Sequence, residues 1–320
     1  MTHEENREGV RLTNELRKKN GLEPLPKMAI SFSGGRTSAV MTKLIWDRHQ
    51  ATHDIIITFA NTGCEHEKTL DFVKQCTEAF GWPVVWLEAL VNQEAGKGVR
   101  HRVVTYETAS RNGEPFKDVV SKYGIFNLGN PSCTARTKTD PMESFIRSCG
   151  WSFGKSLDHS TAIGIRADEM DRMSQRGLHE LGFIYPMVTW GVTKRKVGLE
   201  IARWGFDLQI PGDHFGNCTW CWKKSLRKHL TLAKECPEVF DFPERMEREH
   251  GKCVGGRKNG DGEGNVRWFR KHLSVADIKE MARTRLFQPY ADDGYEHGWE
   301  RELDLGGSCG DSCEIGADLE

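Results

Sequence analysis

The sequence predicts an α/β protein: a layered, doubly wound, mostly parallel sheet followed by a helical, cysteine-bearing C-terminal extension. Three observations carry this. Apolar runs and helical periodicity alternate in β-α-β-α-β order from Lys27 to Ala89. The strand runs are almost continuously apolar, as in a parallel sheet covered on both faces. Beyond Pro211 the pattern turns helical and charged.

Residues 1–26 read as a polar lead with one short helix, closed by Pro24 and Pro26. Lys27–Ser33 is the first strand. It runs through SGGRTS into a helix over Ser38–Arg48, where Val40, Met41, Leu44 and Ile45 keep helical spacing. Ile55–Asn61 is the second strand, and the helix after it carries Leu70, Val73 and Phe80 and stops at Gly81. Pro83–Ala89 is the third strand, and Ser160–Arg166 and Phe183–Val188 are two further candidates. Residues 90–130, rich in Gly, Arg and Lys, read as a long, partly mobile excursion over the active face. Gly251–Gly264 reads as a flexible loop, Asp277–Leu286 as a last helix and Ala291–Glu320 as a loose acidic tail. The expected units are thus the lead over 1–26, an α/β domain over 27–210, a helical extension over 211–290 and the tail over 291–320.

The 320 residues include 45 Lys+Arg and 46 Asp+Glu, and 38% are hydrophobic, which excludes global disorder. No stretch approaches the roughly 20 apolar residues of a membrane span. The N-terminal MTHEENREGVRLTNELRKK lacks the apolar core of a secretory signal, so a cytoplasmic protein with no membrane partner is expected. There the ten cysteines point to metal ligands, nucleophiles or packing rather than disulfides. Charge is uneven. Residues 190–290 hold 20 Lys/Arg against 13 Asp/Glu, net +7, whereas residues 291–320 hold 1 Arg against 10 acids, net −9. The first segment reads as a solvated surface or as a cationic lobe for nucleic acid or a nucleotide, masked by the tail.

Ser33-Gly34-Gly35-Arg36-Thr37-Ser38 lies between a strand and a helix. Two glycines permit a sharp turn and close backbone approach to a ligand. The following helix presents N–H groups and a positive dipole end to an anion. Ser33, Thr37 and Ser38 add hydroxyls, and Arg36 adds charge. The pattern is neither a Walker loop nor the usual dinucleotide fingerprint.

SFSGGRTSAV resembles the pyrophosphate loop of the adenine nucleotide α-hydrolase-like superfamily, the PP-loop ATP pyrophosphatases with their HUP-like fold. FANTGCEHEKTLDFV, NPSCTARTKTDP, AIGIRADEMDR and GNCTWCWKK resemble, in order, segments of its phosphoadenosine phosphosulfate (PAPS) reductase branch, in a form common in phages and prophages. The resemblance covers about residues 27–230, with Trp268–Ser274 as a further match. It implies that the phosphates of ATP or a PAPS-like adenine nucleotide lie over Ser33–Ser38, with the adenine near Phe59–Gly63, so that Asn61 and Gly63 join the binding set. Its intact S-G-G loop looks more like ATP-using members than dedicated reductases.

Cys218-x-x-Cys221 has metal-knuckle spacing, and Lys223 and Lys224 beside it would balance negative charge. Adenosine phosphosulfate reductases with a [4Fe–4S] cluster carry C-C-x-x-R-K and, far downstream, C-x-x-C. Here Cys133-Thr-Ala-Arg136 fits the second cysteine of that pair, and Ser132 replaces the first. The resemblance therefore implies three thiolates, Cys133, Cys218 and Cys221. Three can hold a [4Fe–4S] cluster with one open iron, which suits tRNA thiolation enzymes better than four-ligand reductases. A fourth ligand from Cys64, Cys309 or a histidine keeps zinc open, and chance spacing with no metal is the remaining alternative.

Arg136, Lys138 and Arg166 are candidates for stabilising phosphate or sulfate charge, with Arg172 and Glu169 near the last. Surface ion pairing is the plain alternative. Glu65 and Glu67 are candidates for Mg²⁺, although acids are expected at a helix start from the dipole alone. Cys64 is a candidate nucleophile or a bystander. PAPS reductases attack sulfur with a tail cysteine in E-C-G-[LI]-H; Ser308-Cys309-Gly310 matches in part, making Cys309 a candidate and Cys313 its neighbour. Cys76, Cys149, Cys236 and Cys253 read as structural, and Trp220 and Trp222 as packing. Three functions remain in view. One is an ATP-using enzyme of sulfur chemistry with a sulfur donor and an acceptor for which nucleic acid is a candidate. Another is a true reductase served by a thioredoxin-like reductant. The third is a non-catalytic nucleotide-binding module.

Overall fold

The computed structural model describes residues 1–127, 129–251 and 273–291, with the backbone of 253–254 and 257–258. In order it forms α1 (His3–Lys19), β1 (Lys27–Ser31), α2 (Arg36–His49), β2 (Asp54–Ala60), α3 (Glu67–Phe80), β3 (Val84–Val91), β4 (Val99–Val104) and α4 (Glu114–Tyr123). A π-helical turn at Ala135–Thr139 leads into α5 (Asp140–Ser148). Then come β5 (His159–Ala162), α6 (Gln175–Glu180), β6 (Phe183–Ile184), α7 (Pro186–Thr189) and α8 (Lys194–Ile201). The extension carries α9 (Leu226–Glu235), α10 (Asp241–His250), a two-residue ribbon of β7 (Cys253–Val254) and β8 (Arg257–Lys258), and α11 (Val275–Thr284).

Six strands make one sheet in the order β4-β3-β2-β1-β5-β6. All neighbours are parallel except β3 and β4. β1 is the switch point, because the chain winds outward through β2 and β3 and then returns to β5 on its other side. Ligands of open α/β sheets bind at the carboxyl ends of strands at such a point.

Strand alternation builds a core on each face. Met28, Ile30, Ile55, Ile57 and Trp86 pack with α2, α3 and α8 on one side. Ala29, Ile56, Val85 and Leu87 pack with Met142, Phe145 and Ile146 of α5 on the other. A third cluster lies in the extension, where Phe116, Val119 and Val120 of α4 meet Leu230, Leu232, Ile278 and four cysteines. Among the described residues no helix is long and apolar enough to cross a membrane.

The structure corrects several boundaries. The lead's helix has 17 residues, closed at its start by a Thr2–Glu5 capping box and tied to the sheet by an Arg7–Asp54 ion pair. Residues 90–130 are no excursion. They contain β4, antiparallel on the sheet edge, and α4. The strand expected over Phe183–Val188 stops at Ile184, because Pro186 has no N–H for the ladder and opens α7 instead. That over Ser160–Arg166 ends at Ala162. Most of Gly251–Gly264 and the tail with Cys309 and Cys313 lie outside the described residues.

Candidate functional site

The turn from β1 to α2 is shaped by Gly34, whose φ is +80°. A Cβ there would stand 2.8 Å from Thr69 Cγ2 and 3.0 Å from Val73 Cγ2, so α3 packs directly on the loop backbone. Gly35 begins α2 without a side-chain cap, leaving that end to its backbone. Ser38 Oγ braces the turn, 2.8 Å from Ser33 Oγ, and accepts the Ser33 N–H at 3.2 Å. A cleft opens over the loop, walled by Ser33–Arg36, Thr69, Leu208, Ile210, Gly216 and Asn217.

Arg36 lines this cleft, yet its guanidinium is committed elsewhere. It donates to both Asp207 carboxylate oxygens at 2.7 and 3.2 Å and to the Leu208 carbonyl at 2.7 Å. The planar fork suits a carboxylate, so Arg36 fixes the opposite wall. Arg166 is buried and donates to Thr37 Oγ1 at 3.3 Å, while Glu169 holds it at 3.1 Å. Arg172 meets the same Glu169 at 2.9 Å. The predicted cationic loop thus docks onto the predicted phosphate loop.

At the end of β2, Asn61 is fully buried. Its Nδ2 donates to Glu88 at 2.7 Å and to the Ser110 carbonyl at 2.9 Å, and its Oδ1 accepts the Gly63 N–H. Glu88 also accepts from Ser110 N–H, Ser110 Oγ and Arg102. Such saturation is what a buried carboxylate requires. Gly63 has φ +76°, and a Cβ would meet the Gly113 backbone at 3.0 Å. The two expected nucleotide residues therefore anchor the loop before α4.

Glu65 and Glu67 diverge. Glu65 accepts from the Thr62 N–H and hydroxyl and lies 3.7 Å from Lys138 Nζ, with those side chains 2% and 6% exposed. Glu67 pairs with Arg111 at the surface. They do not share one Mg²⁺ site, because α3 begins between them and turns their side chains apart.

Cys133, Cys218 and Cys221 come together around one pocket with Phe116, Lys138, Trp220, Trp222 and Lys223. Cys133 opens the helical segment that contains the π turn; such turns recur at functional sites. The knuckle loop is pinned from three sides. Lys224 donates to the His214 and Thr219 carbonyls at 2.6 Å, and His229 Nε2 lies 2.9 Å from the Cys221 carbonyl. Glu65 and Cys218 form an antiparallel bridge, and the Thr219 N–H donates to the Cys64 carbonyl. Asn217, at φ +58°, is the single non-glycine residue with positive φ among the described residues. It lines both the cysteine pocket and the cleft over the glycine loop.

All three thiols are buried, at 8%, 7% and 7% exposure. Among the described residues no three His, Cys, Asp or Glu donors converge on a point that could hold one ion. A mononuclear zinc needs such convergence, with sulfurs about 2.3 Å from the metal. A polynuclear cluster attaches each thiolate to a different iron and is served by sulfurs spread around a pocket. Three thiols lining one pocket are the donor type that an iron–sulfur cluster takes. Burial and the neighbouring Cys218 push the Cys64 thiol up, so it is a poor nucleophile as placed. Arg136 lies against Asp140 at 2.8 Å and over the Tyr123 ring. Thr62, in contact with Cys218 sulfur across 156 positions, carries no sequence signal, and Trp222, read as packing from its place beside Cys221, also donates its indole N–H to Cys133 sulfur 89 positions away. Trp220 stacks on Phe242, a packing role.

A glycine loop at the switch point of a mostly parallel sheet, with a cysteine pocket across its wall, is an open-sheet α/β arrangement of the ligand-binding type. The chain belongs to the phosphoadenosine phosphosulfate reductase family, whose domain matches residues 27–180. It is 32% identical over 292 residues to the uncharacterised nin region protein ORF290 of Escherichia phage lambda, covering 89% of this chain and 94% of that protein. An uncharacterised protein of Methanocaldococcus jannaschii is 24% identical over 265 residues, 80% of this chain and 47% of its own length. Among solved structures, the U34-tRNA thiolase NcsA from Methanococcus maripaludis, with its [4Fe–4S] cluster, matches at 16% identity and TM-score 0.36 over 86% of each chain. At that score the likeness carries nothing about chemistry.

Proposed function

We propose that this chain is an adenine-nucleotide-dependent enzyme of sulfur chemistry. It binds ATP or a related nucleotide over Ser33–Ser38 and carries an iron–sulfur cluster on Cys133, Cys218 and Cys221. The observation behind this is the shared wall: Asn217 borders both the phosphate cleft and the three-thiol pocket. An α-phosphate or its sulfate adduct would sit beside the cysteine-held group, within one residue's width. Arg166, against Thr37, and Lys138, between Glu65 and the cysteines, are positioned to offset negative charge there. Arg136 adds charge behind them. A bound cluster supplies an electron-transfer or sulfur-handling centre, and the buried Lys223 and Lys138 temper its charge. The cationic segment 190–290 supports a nucleic acid acceptor.

The test is anaerobic purification with iron, zinc and sulfide analysis of wild type and Cys218→Ser, alongside nucleotide binding. About four iron per chain, lost in Cys218→Ser while nucleotide binding persists, supports the reading. One zinc, or no metal, defeats its cluster half; nucleotide binding without turnover or metal leaves a binding module. The family match favours one second reading: reduction of PAPS or adenosine phosphosulfate to sulfite, with Cys309 as nucleophile and a thioredoxin-like reductant. Sulfite formation that Cys309→Ser abolishes would establish it, and no sulfite from either substrate would end it.

A further inference from the structure

We propose that Trp222, through its indole hydrogen bond to Cys133 Sγ, and Thr62, through its hydroxyl contact with Cys218 Sγ, are positioning residues for the cysteine site and set how readily a cluster held there accepts an electron. This rests on the metal reading above. The Trp222 indole N–H lies 3.4 Å from Cys133 Sγ, and Thr62 Oγ1 lies 3.4 Å from Cys218 Sγ. Both residues are buried, at 3% and 0% exposure. They come from different elements, the end of β2 and the knuckle loop, and reach different sulfurs.

The two donors are unequal. An indole nitrogen only donates, so the direction of the Trp222 contact is fixed. Removing it takes a buried hydrogen bond from Cys133 Sγ. The Thr62 hydroxyl has one proton and several claimants. It stands 2.8 and 2.9 Å from the Glu65 oxygens and also accepts the Cys64 N–H at 3.3 Å. Lys138, 3.7 Å from Glu65, lessens the carboxylate's claim on that proton without abolishing it. Hydrogen bonds to ligand sulfur draw off negative charge and favour the reduced cluster, which raises its potential. Trp222 therefore contributes more than Thr62.

The full chain is reconstituted anaerobically, and its midpoint potential is read by absorbance and electron paramagnetic resonance. Trp222→Phe keeps the ring and removes the donor; its potential is expected to move negative at unchanged iron content. Thr62→Val moves it less, and Thr62→Ser returns it to wild type. Trp204→Phe, which alters a ring packed on Phe80 in the other core, leaves it alone. In the apo chain, the Trp222 indole resonance, assigned by its loss in Trp222→Phe, is displaced by Cys133→Ala. An iron-loaded Trp222→Phe protein with the wild-type potential overturns this proposal alone. An indole resonance indifferent to Cys133→Ala removes the hydrogen bond itself. A shift shared by Thr62→Ser and Thr62→Val reduces Thr62 to packing and overturns its half. A chain that never holds iron overturns the metal reading, and this proposal with it.

Discussion

The phosphate loop and the cysteine pocket share Asn217 but are built on opposite principles. The loop is six consecutive residues whose proposed function resides in backbone geometry: a positive-φ glycine, an uncapped helix start and two serines that brace each other. The pocket is assembled from distant parts of the chain, Phe116, residues 133–138 and residues 217–223, with Thr62 against Cys218, and its proposed function resides in side-chain chemistry. A backbone site fails when one Cβ is added. A side-chain site fails when one charge or donor is removed, and it depends on the whole fold to bring its parts together. Damage to one should therefore spare the other.

The largest effect expected is at Lys138. Lys138→Met leaves Glu65 buried without its cation and should lower stability by about 3–5 kcal/mol, the usual cost of breaking a buried pair. Thr62 still satisfies part of Glu65, so the lower end is expected in denaturant unfolding. Adding Glu65→Gln should recover much of the loss; if it does not, the pair is not what holds residues 62–65 against residues 133–138. Next comes Gly34→Ala. Positive φ and the 2.8 Å approach to Thr69 predict a loss of about 1–3 kcal/mol and of nucleotide binding by calorimetry. Iron content should be retained. A variant that lost both would break the comparison.

The smallest effect belongs to the scaffold. Burial lowers the pKa of His3 and His159 from the ordinary 6.5. Their unfolded forms then take up protons that the folded forms refuse. Their contribution to stability is complete above about pH 6.5 and is lost as pH falls below it. Melting temperature should drop between pH 7 and 5.5, less steeply in His159→Gln, with both sites' ligands absent. An unchanged slope would mean that His159 is solvated in the folded chain.

The contrast also explains what was legible beforehand. β1, β2, β3 and the SGGRTS turn are local events, each written in a short apolar run and a pair of glycines, and they could be read directly. β4 could not: VRHRVV alternates charge on an exposed sheet edge, so its strand character comes from pairing with β3 rather than from apolar content. The three cysteines stood out by spacing and by likeness to a family. Arg36 and Asn61 were recognised as residues of the site's neighbourhood, but not that Asp207 and Glu88 would engage their side chains. Such partners lie far along the chain, and no local pattern encodes them.

The π turn at Ala135–Thr139 adds a consequence of phase. Its wider turn sets Cys133 out of step with α5, whose Phe145 and Ile146 are locked onto the sheet. Each residue of an ordinary helix advances about 100° around its axis. Drop one residue from that turn and Cys133, Cys218 and Cys221 all survive, while the sulfur swings about a quarter of a revolution from Trp222. Aim here is a matter of counting, so a length change too small to disturb any alignment could silence the pocket.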